Sequence, residues 1–385
     1  MAGKRLLLLS VSAGHGHIRA ADALCAELER RYPEHEARHV DLMTLVPILF
    51  RKTYKDAYLK LVQKHPALWG YLYARSDRDP SGADAALAKL RKAIEAACNK
   101  DLLAIIQEYA PDAIICTHFM PLQVLARWKA KGKTDVPVWT CVTDYMAHRF
   151  WLEPGQDGCF TATEECARRM IARGLAPERV FVTGIPVSPD FIPPANGREA
   201  RRAAAERFGL DPAQPTVLLM GGGAGVGDMR SLAAALLDAP ERFQLVALAG
   251  NNRALLANLR DLAAEHPGRL LSLGFTHDVH MLLAAADLVI TKPGGLTTAE
   301  CLAMGKPMLV HSPIPGQEEY NADFLLENGA ALKAVDMDAL LWRVRRFLSE
   351  PELRARLARN AAALGKPHAA RDILATVLNA RQPGK

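Results

Sequence analysis

The chain has 385 residues, half of them apolar and 23% charged, an ordinary globular composition with length enough for two domains of common size. Its formal net charge of +6 admits an anionic partner without choosing among nucleotide, nucleic acid and lipid. The seven cysteines form no C-x-x-C pair, a spacing that argues against a zinc site and a disulfide framework and predicts reduced thiols, several in buried strands.

Taken in order, Met1 to Ser10 holds a run of four leucines, too short for a signal-peptide core or a membrane span, so a cytoplasmic protein is expected. From there short apolar runs alternate with helical patterns, as when helices cover both faces of a parallel sheet. Strands are expected at Arg5–Val11, Arg38–Asp41, Ala113–Thr117, Val136–Thr143, Gly158–Thr161 and Val180–Thr183. In the second half they are expected at Thr216–Met220, Gln244–Ala249, Leu270–Gly274, Leu288–Thr291 and Met308–Val310. Between the halves, Ile185 to Gly197 carries four prolines and reads as a linker, neither regular helix nor central strand. A last helix is expected from His368 to Ala380.

The first loop with chemical content is Ser10-Val11-Ser12-Ala13-Gly14-His15-Gly16-His17, which follows a strand and opens a helix expected over Ile18 to Arg30. Its glycines let backbone N–H groups approach an anion, and a histidine there donates to phosphate or takes a proton; a tight turn with two exposed histidines reads equally well. In Pro47 to Arg75 the residues Leu49, Phe50, Tyr54, Tyr58, Leu61 and Val62 recur at helical spacing, with Arg51, Lys52, Lys55, Lys60 and Lys64 between them. That pattern fits a basic interfacial segment meeting anionic lipid, or an amphipathic helix whose aromatic stripe is core. Asp77-Arg78-Asp79 matches the Asp-x-Asp string of metal-dependent sugar transferases but sits in a polar stretch, and a solvated turn is the reading preferred over a metal site.

In the second half, Met220 to Asp228 places five glycines in seven residues after a strand, which suits backbone wrapped closely on a diphosphate. The glycine spacing is not the dinucleotide fingerprint, and no acidic residue closes the next strand. Asp287 to Glu300 then reads as strand, Lys292-Pro293-Gly294-Gly295 turn, and a helix whose start offers Thr297, Thr298 and open N–H groups, with Glu300 able to accept from a sugar diol. Capping by Thr297 and dipole complementation by Glu300 are the plainer alternatives.

Lys-Pro-Gly-Gly-Leu-Thr-Thr-Ala-Glu at 292–300, Pro-Gly-Gln-Glu-Glu-Tyr-Asn at 315–321 and the Gly-rich loop together resemble the C-terminal domain of family 28 inverting glycosyltransferases. Gly16-His17, Val142-Thr143-Asp144-Tyr145, His148, Trp151 and Thr183 to Val187 resemble monogalactosyldiacylglycerol synthases and processive diacylglycerol glucosyltransferases. The resemblance spans nearly the whole chain. It implies an α/β protein of GT-B fold: two Rossmann-like doubly wound domains facing each other across a cleft, at 1–190 for acceptor and membrane and 191–366 for donor. Residues 367–385 would form a C-terminal helix, packing back on the first domain. The implied reaction moves glucose or galactose from UDP-glucose or UDP-galactose to diacylglycerol or a glycolipid acceptor, with an anionic membrane surface as partner, no nucleic acid, and a cytoplasmic location on the inner face of the membrane.

By the same resemblance Gly223 and Gly225 lie near the diphosphate, Phe275 and Thr276 near the uracil, and Glu300 on the ribose. Lys292, Gly294, Gly295, Thr297 and Thr298 belong to the phosphate turn, and Gln317, Glu318 and Asn321 lie where the donor hexose would be. His17 is the matched candidate for catalytic base or diphosphate contact, and Asp144 is the second candidate base. His148, Trp151, Phe50, Arg51, Lys52, Tyr54, Lys55, Tyr58 and Lys60 form the acceptor and membrane side. Some relatives carry an acidic residue just before the glycine-His turn, where this chain has Val11-Ser12-Ala13. No metal or other cofactor is implied, since helix N-termini with basic or hydroxyl groups can stabilise a leaving diphosphate.

Overall fold

The computed structural model describes residues 3–12, 14–48, 65–78, 100–221 and 228–380. The chain divides into two compact units, Met1–Pro189 with Ile314–Gln317 and His368–Lys385, and Asp190–Pro313 with Glu318–Pro367.

The first unit is built on β1 (Arg5–Ser10), β2 (Glu36–Asp41), β3 (Ala113–Cys116), β4 (Val138–Cys141), β5 (Gly158–Thr161) and β6 (Val180–Val182). They form one parallel sheet in the order β2-β1-β3-β4-β5-β6. Leu6, Leu7, Leu8 and Leu9 are all fully buried, because a central parallel strand is covered on both faces and so reads as a continuous apolar run. Leu7 and Leu9 pack with Ile114, Leu122 and Trp128 on one face. Leu6 and Leu8 pack with Leu24, Leu28, Ile373 and Leu374 on the other. The last two belong to the helix Ala369–Asn379, which lies against the helix His15–Arg31, and Lys4 Nζ donates to the carbonyl of Leu378 at 2.7 Å.

The second unit carries β7 (Thr216–Met220), β8 (Gln244–Leu248), β9 (Leu270–Leu273), β10 (Leu288–Thr291), β11 (Met308–His311) and β12 (Ala331–Ala334), again all parallel, in the order β12-β11-β10-β7-β8-β9. The eleven strands expected from sequence all form; some ends are trimmed, while β2 starts two residues earlier and β11 ends one residue later than expected. β4 begins after Pro137, which has no N–H to give a ladder, and ends before Thr143, whose hydroxyl turns to His17 instead. β12 is the strand not anticipated: Ala-Leu-Lys-Ala has no β-branched residue and sits at the sheet edge, so its sequence signal is weak. In the linker only Pro189–Phe191 makes a single 3-10 turn, and Asn196 caps the next helix by accepting from the Glu199 N–H.

Doubly wound sheets bind ligands beyond the carboxyl ends of their strands, where the chain changes direction across the sheet. That point falls between β1 and β3 in the first unit and between β7 and β10 in the second.

Gly158 is paired in register with Trp139, and a Cβ there would run into the indole, which is stacked on Phe160 at 5.5 Å between ring centres. Gly158→Ala is therefore expected to lower stability by about 1–3 kcal/mol, the range for overpacking a filled core. An unchanged denaturation midpoint would show that the Trp139 ring can move aside.

Candidate active site

At the switch point of the first sheet the loop after β1 is held from below: Asp41 accepts from the Ser12 N–H at 3.0 Å. Beside it, Ser10 Oγ lies 2.7 Å from His39 Nε2 and His39 Nδ1 lies 2.7 Å from Asp22. This has the connectivity of a nucleophilic triad, but Ser10 is wholly buried, so the chain of bonds is a strut that fixes the end of β1. The helix then opens at His15, which is exposed, while His17 is half-buried.

His17 Nδ1 lies 3.0 Å from the carbonyl of Thr117, the residue after β3, and 2.8 Å from Thr143 Oγ1, beyond the end of β4. A carbonyl only accepts, so Nδ1 carries the hydrogen and Nε2 keeps the lone pair. Protein packed around the ring lowers its pKa to about 4, the Thr117 carbonyl pulling the other way, so the imidazole is neutral at physiological pH. His118 meets it edge-on at 4.6 Å between ring centres and Trp151 stands at 6.4 Å. His118 is itself held well below the ordinary histidine value, by burial and then by His17, and its Nδ1 caps the following helix by accepting from the Met120 N–H. Sequence reasoning passed over Thr117 and His118, although a histidine directly after a strand beside the switch point is the available signal.

Asp144 follows Thr143 and is half-buried. His148 and Trp151, assigned from sequence to the acceptor side, are both buried. His148 joins elements together: its Nε2 lies 3.1 Å from the Tyr73 carbonyl and 3.2 Å from Ser76 Oγ, tying the helix Pro66–Arg78 to the loop after β4. The solvated-turn reading of Asp77 is corrected. It lies in the last turn of that helix, accepts from the Arg149 N–H at 2.8 Å and pairs with Arg173 at 2.8 Å. Burial alone would raise its carboxyl; the Arg173 bond, then His148 and the Arg149 N–H, hold it below the usual range. Among the described residues no three histidine, cysteine or acidic side chains cluster as a metal site. The same helix exposes Leu68, Tyr71 and Leu72 at 50%, 60% and 41%, one face at i, i+3 and i+4. Phe50, Arg51, Lys52, Tyr54, Lys55, Tyr58 and Lys60 lie outside the described residues.

In the second unit Gly223 and Gly225 also lie outside the described residues. Lys292 to Gly294 leave the end of β10, and Gly294 begins the helix Gly295–Ala303 with no side-chain cap, so the capping alternative for Thr297 does not hold. The N–H groups of that first turn point along the helix axis toward whatever anion approaches. Thr297 is half-buried in the same turn. Thr298 is fully buried, and its hydroxyl has no hydrogen-bond partner among the described residues. Glu300 is 2% exposed and stands in the second turn. Glu318 Oε1 comes within 3.9 Å of where a Cβ on Gly294 would sit. Gln317 opens the helix Gln317–Glu327 with a buried, unpartnered Oε1. Asn321 is fully buried and donates to the Pro293 carbonyl at 2.9 Å, so it braces the Lys292–Gly295 turn from within.

Beyond β9, Phe275 is 59% exposed, a large aromatic surface left open beside the edge-on His277 ring, while Thr276 Oγ1 accepts from the Asp278 N–H at 3.0 Å. His311 ends β11 beside Lys292 and was not foreseen; its Nδ1 is buried without a partner among the described residues, and burial, then the Lys292 charge, lower its pKa. Phe275 and Thr276 thus follow β9, Lys292 to Glu300 follow β10, and Glu318 and Asn321 follow β11, all beyond the carboxyl ends of strands of the second sheet.

Residues 17–187 match the monogalactosyldiacylglycerol (MGDG) synthase family and residues 231–364 the glycosyl transferases group 1 family. The processive diacylglycerol beta-glucosyltransferase of Bacillus pumilus is 30% identical, over 97% of this chain and 94% of its own. The chain belongs to the diacylglycerol glycosyltransferase family. Monogalactosyldiacylglycerol synthase 3 of Arabidopsis thaliana, another relative, is 28% identical over 96% of this chain and 80% of its own. Among solved structures, MurG of Acinetobacter baumannii aligns over 98% of this chain and all of its own with a TM-score of 0.62 at 15% identity, a likeness that gives the diacylglycerol glycosyltransferase chain its GT-B fold.

Proposed function

We propose that the protein is an inverting hexosyltransferase that moves glucose or galactose from a UDP-sugar to diacylglycerol or a glycosyl-diacylglycerol at an anionic membrane surface on the cytoplasmic side. The observation that carries this reading is the likeness, end to end, to a processive diacylglycerol beta-glucosyltransferase. The acceptor hydroxyl passes its proton to His17 Nε2 as its oxygen bonds to the anomeric carbon, and the bond from that carbon to the diphosphate breaks with its electron pair leaving on UDP. Asp144 is the reserve base. Lys292, Thr297, Thr298 and the uncapped N–H groups from Gly295 onward receive the diphosphate, with no ion required. Phe275 stacks on the uracil beside Thr276, Glu300 accepts from the ribose diol, and Gln317 and Glu318 meet the hexose while Asn321 braces the Lys292–Gly295 turn.

The test is direct: purified protein is incubated with radiolabelled UDP-glucose or UDP-galactose and diacylglycerol vesicles, and the lipids are separated. Labelled glycolipid with stoichiometric free UDP is the expected result. An epimerised UDP-sugar, or saturable UDP-sugar binding without any product, would overturn it.

For the donor edge, Glu300→Gln keeps the side-chain volume while removing the charge. UDP affinity should fall by about 1.5 kcal/mol, the low end for a hydrogen bond to a charged group because glutamine keeps one acceptor. Calorimetry giving the unaltered Kd on folded protein would take Glu300 off the ribose.

A further inference from the structure

We propose that Thr143 is a positioning residue for the base, and that its hydroxyl together with the Thr117 carbonyl stands in for a carboxylate partner to His17. This rests on the reading of His17 as the base. Two oxygens converge on one ring nitrogen, Thr117 O at 3.0 Å and Thr143 Oγ1 at 2.8 Å. The first is an obligate acceptor and so decides where the hydrogen sits; the second can accept a share of the same hydrogen. Both residues are rigidly placed, since Thr117 is wholly buried and Thr143 is 4% exposed.

The helix backbone is pinned by the same neighbour, because Thr117 Oγ1 donates to the His17 carbonyl at 2.8 Å. With His118 against the ring at 87°, rotation is closed off from two sides. The ring therefore presents Nε2 to an acceptor hydroxyl in one orientation. When Nε2 takes the proton, positive charge spreads to Nδ1, where both oxygens already point, and their bonds become charge-assisted. The stabilisation thus grows as the proton moves, which is the condition for a contribution to rate rather than to binding alone.

The titratable or charged groups nearest His17, Thr117 and Thr143 in the chain are His15 and Arg19 on its own helix, Cys116 and His118 at the end of β3, and Cys141, Asp144, Tyr145, His148 and Arg149 at and after the end of β4, with Asp22 one turn further along the helix. All are unaltered when Thr143 is replaced, so a comparison isolates its hydroxyl.

Thr143→Val keeps the shape and removes the oxygen, and kcat should fall roughly 10- to 100-fold, as for loss of a hydrogen bond to a charged group. KM for the UDP-sugar should be unchanged, and Thr143→Ser should recover most of the rate. The acid limb of the kcat profile should move to lower pH in the valine protein, because an imidazolium stripped of an acceptor holds its proton less well; a merely structural role would leave that limb in place. Nitrogen-15 spectra of histidine-labelled unsubstituted protein should show His17 protonated at Nδ1 near neutral pH, a readout independent of whether any variant folds. Wild-type kcat in Thr143→Val would overturn the proposal while leaving His17 as the base; the opposite tautomer in the spectra, with the hydrogen on Nε2, would overturn both. Full activity in His17→Ala would instead overturn the reading on which it rests.

Discussion

His17→Ala is expected to lower turnover by about 10²–10⁴-fold, the contribution of a positioned general base, with UDP affinity unchanged; a matching loss of UDP affinity would make the residue a diphosphate contact instead. His15→Ala is expected to do far less. The two differ by two positions, but His15 is exposed at the helix start, whereas His17 has its tautomer set by the Thr117 carbonyl. A lowered pKa of about 4 also fixes the direction of a stability effect. A folded-state value below the unfolded 6.5 means that the unfolded chain binds the extra proton, so stability present above about pH 6.5 is lost as pH falls toward 4. His17→Ala should therefore blunt acid destabilisation in that window while abolishing most turnover. Equal rate losses at both positions, or full activity without His17, would move the base to Asp144.

Replacing Lys52, Lys55 and Lys60 together with glutamine should remove about 3 kcal/mol of affinity for anionic vesicles, at about 1 kcal/mol for each lysine that faces the lipid. The loss should be large on phosphatidylglycerol, shrink as salt rises and nearly vanish on neutral vesicles, because screening acts within a Debye length. What remains should be the apolar part of the contact. The helix Pro66–Arg78 follows this segment and leaves Leu68, Tyr71 and Leu72 open to solvent, side chains whose insertion is indifferent to salt. Transfer to a detergent-dispersed acceptor should survive. Undiminished sedimentation of the triple variant with anionic vesicles would mean that the lysines face away from lipid and the aromatic stripe is core.

Much of the fold was legible because parallel strands announce themselves as short, doubly buried apolar runs, and eleven of them stood out in sequence. Ala331–Ala334 did not, since an edge strand without β-branched side chains differs little from a loop. The candidate donor edge was legible as an ordered set of motifs, but a motif does not say which side chains turn inward. Thr297 and Thr298 are adjacent in sequence, yet on a helix they point about 100° apart, and only the second is wholly buried. Asn321 likewise spends its amide on Pro293, a use that no spacing reveals. His118 escaped notice, and Thr143 stood in a quoted motif without its link to His17, because both roles depend on β3 and β4 ending side by side, a matter of sheet order.

The helix Ala369–Asn379 supplies Ile373, Leu374 and Val377 to the same apolar layer as Leu6 and Leu8, although β6 is finished by Val182. On a ribosome adding roughly 5–20 residues per second, the first unit is synthesised roughly ten to forty seconds before the helix that seals one of its faces. For that interval the nascent chain carries an open oily surface, while the second unit can already close on its own sheet. The unit begun first is thus the one completed last, and a nascent-chain chaperone would find its natural substrate on the face against which that final helix comes to rest.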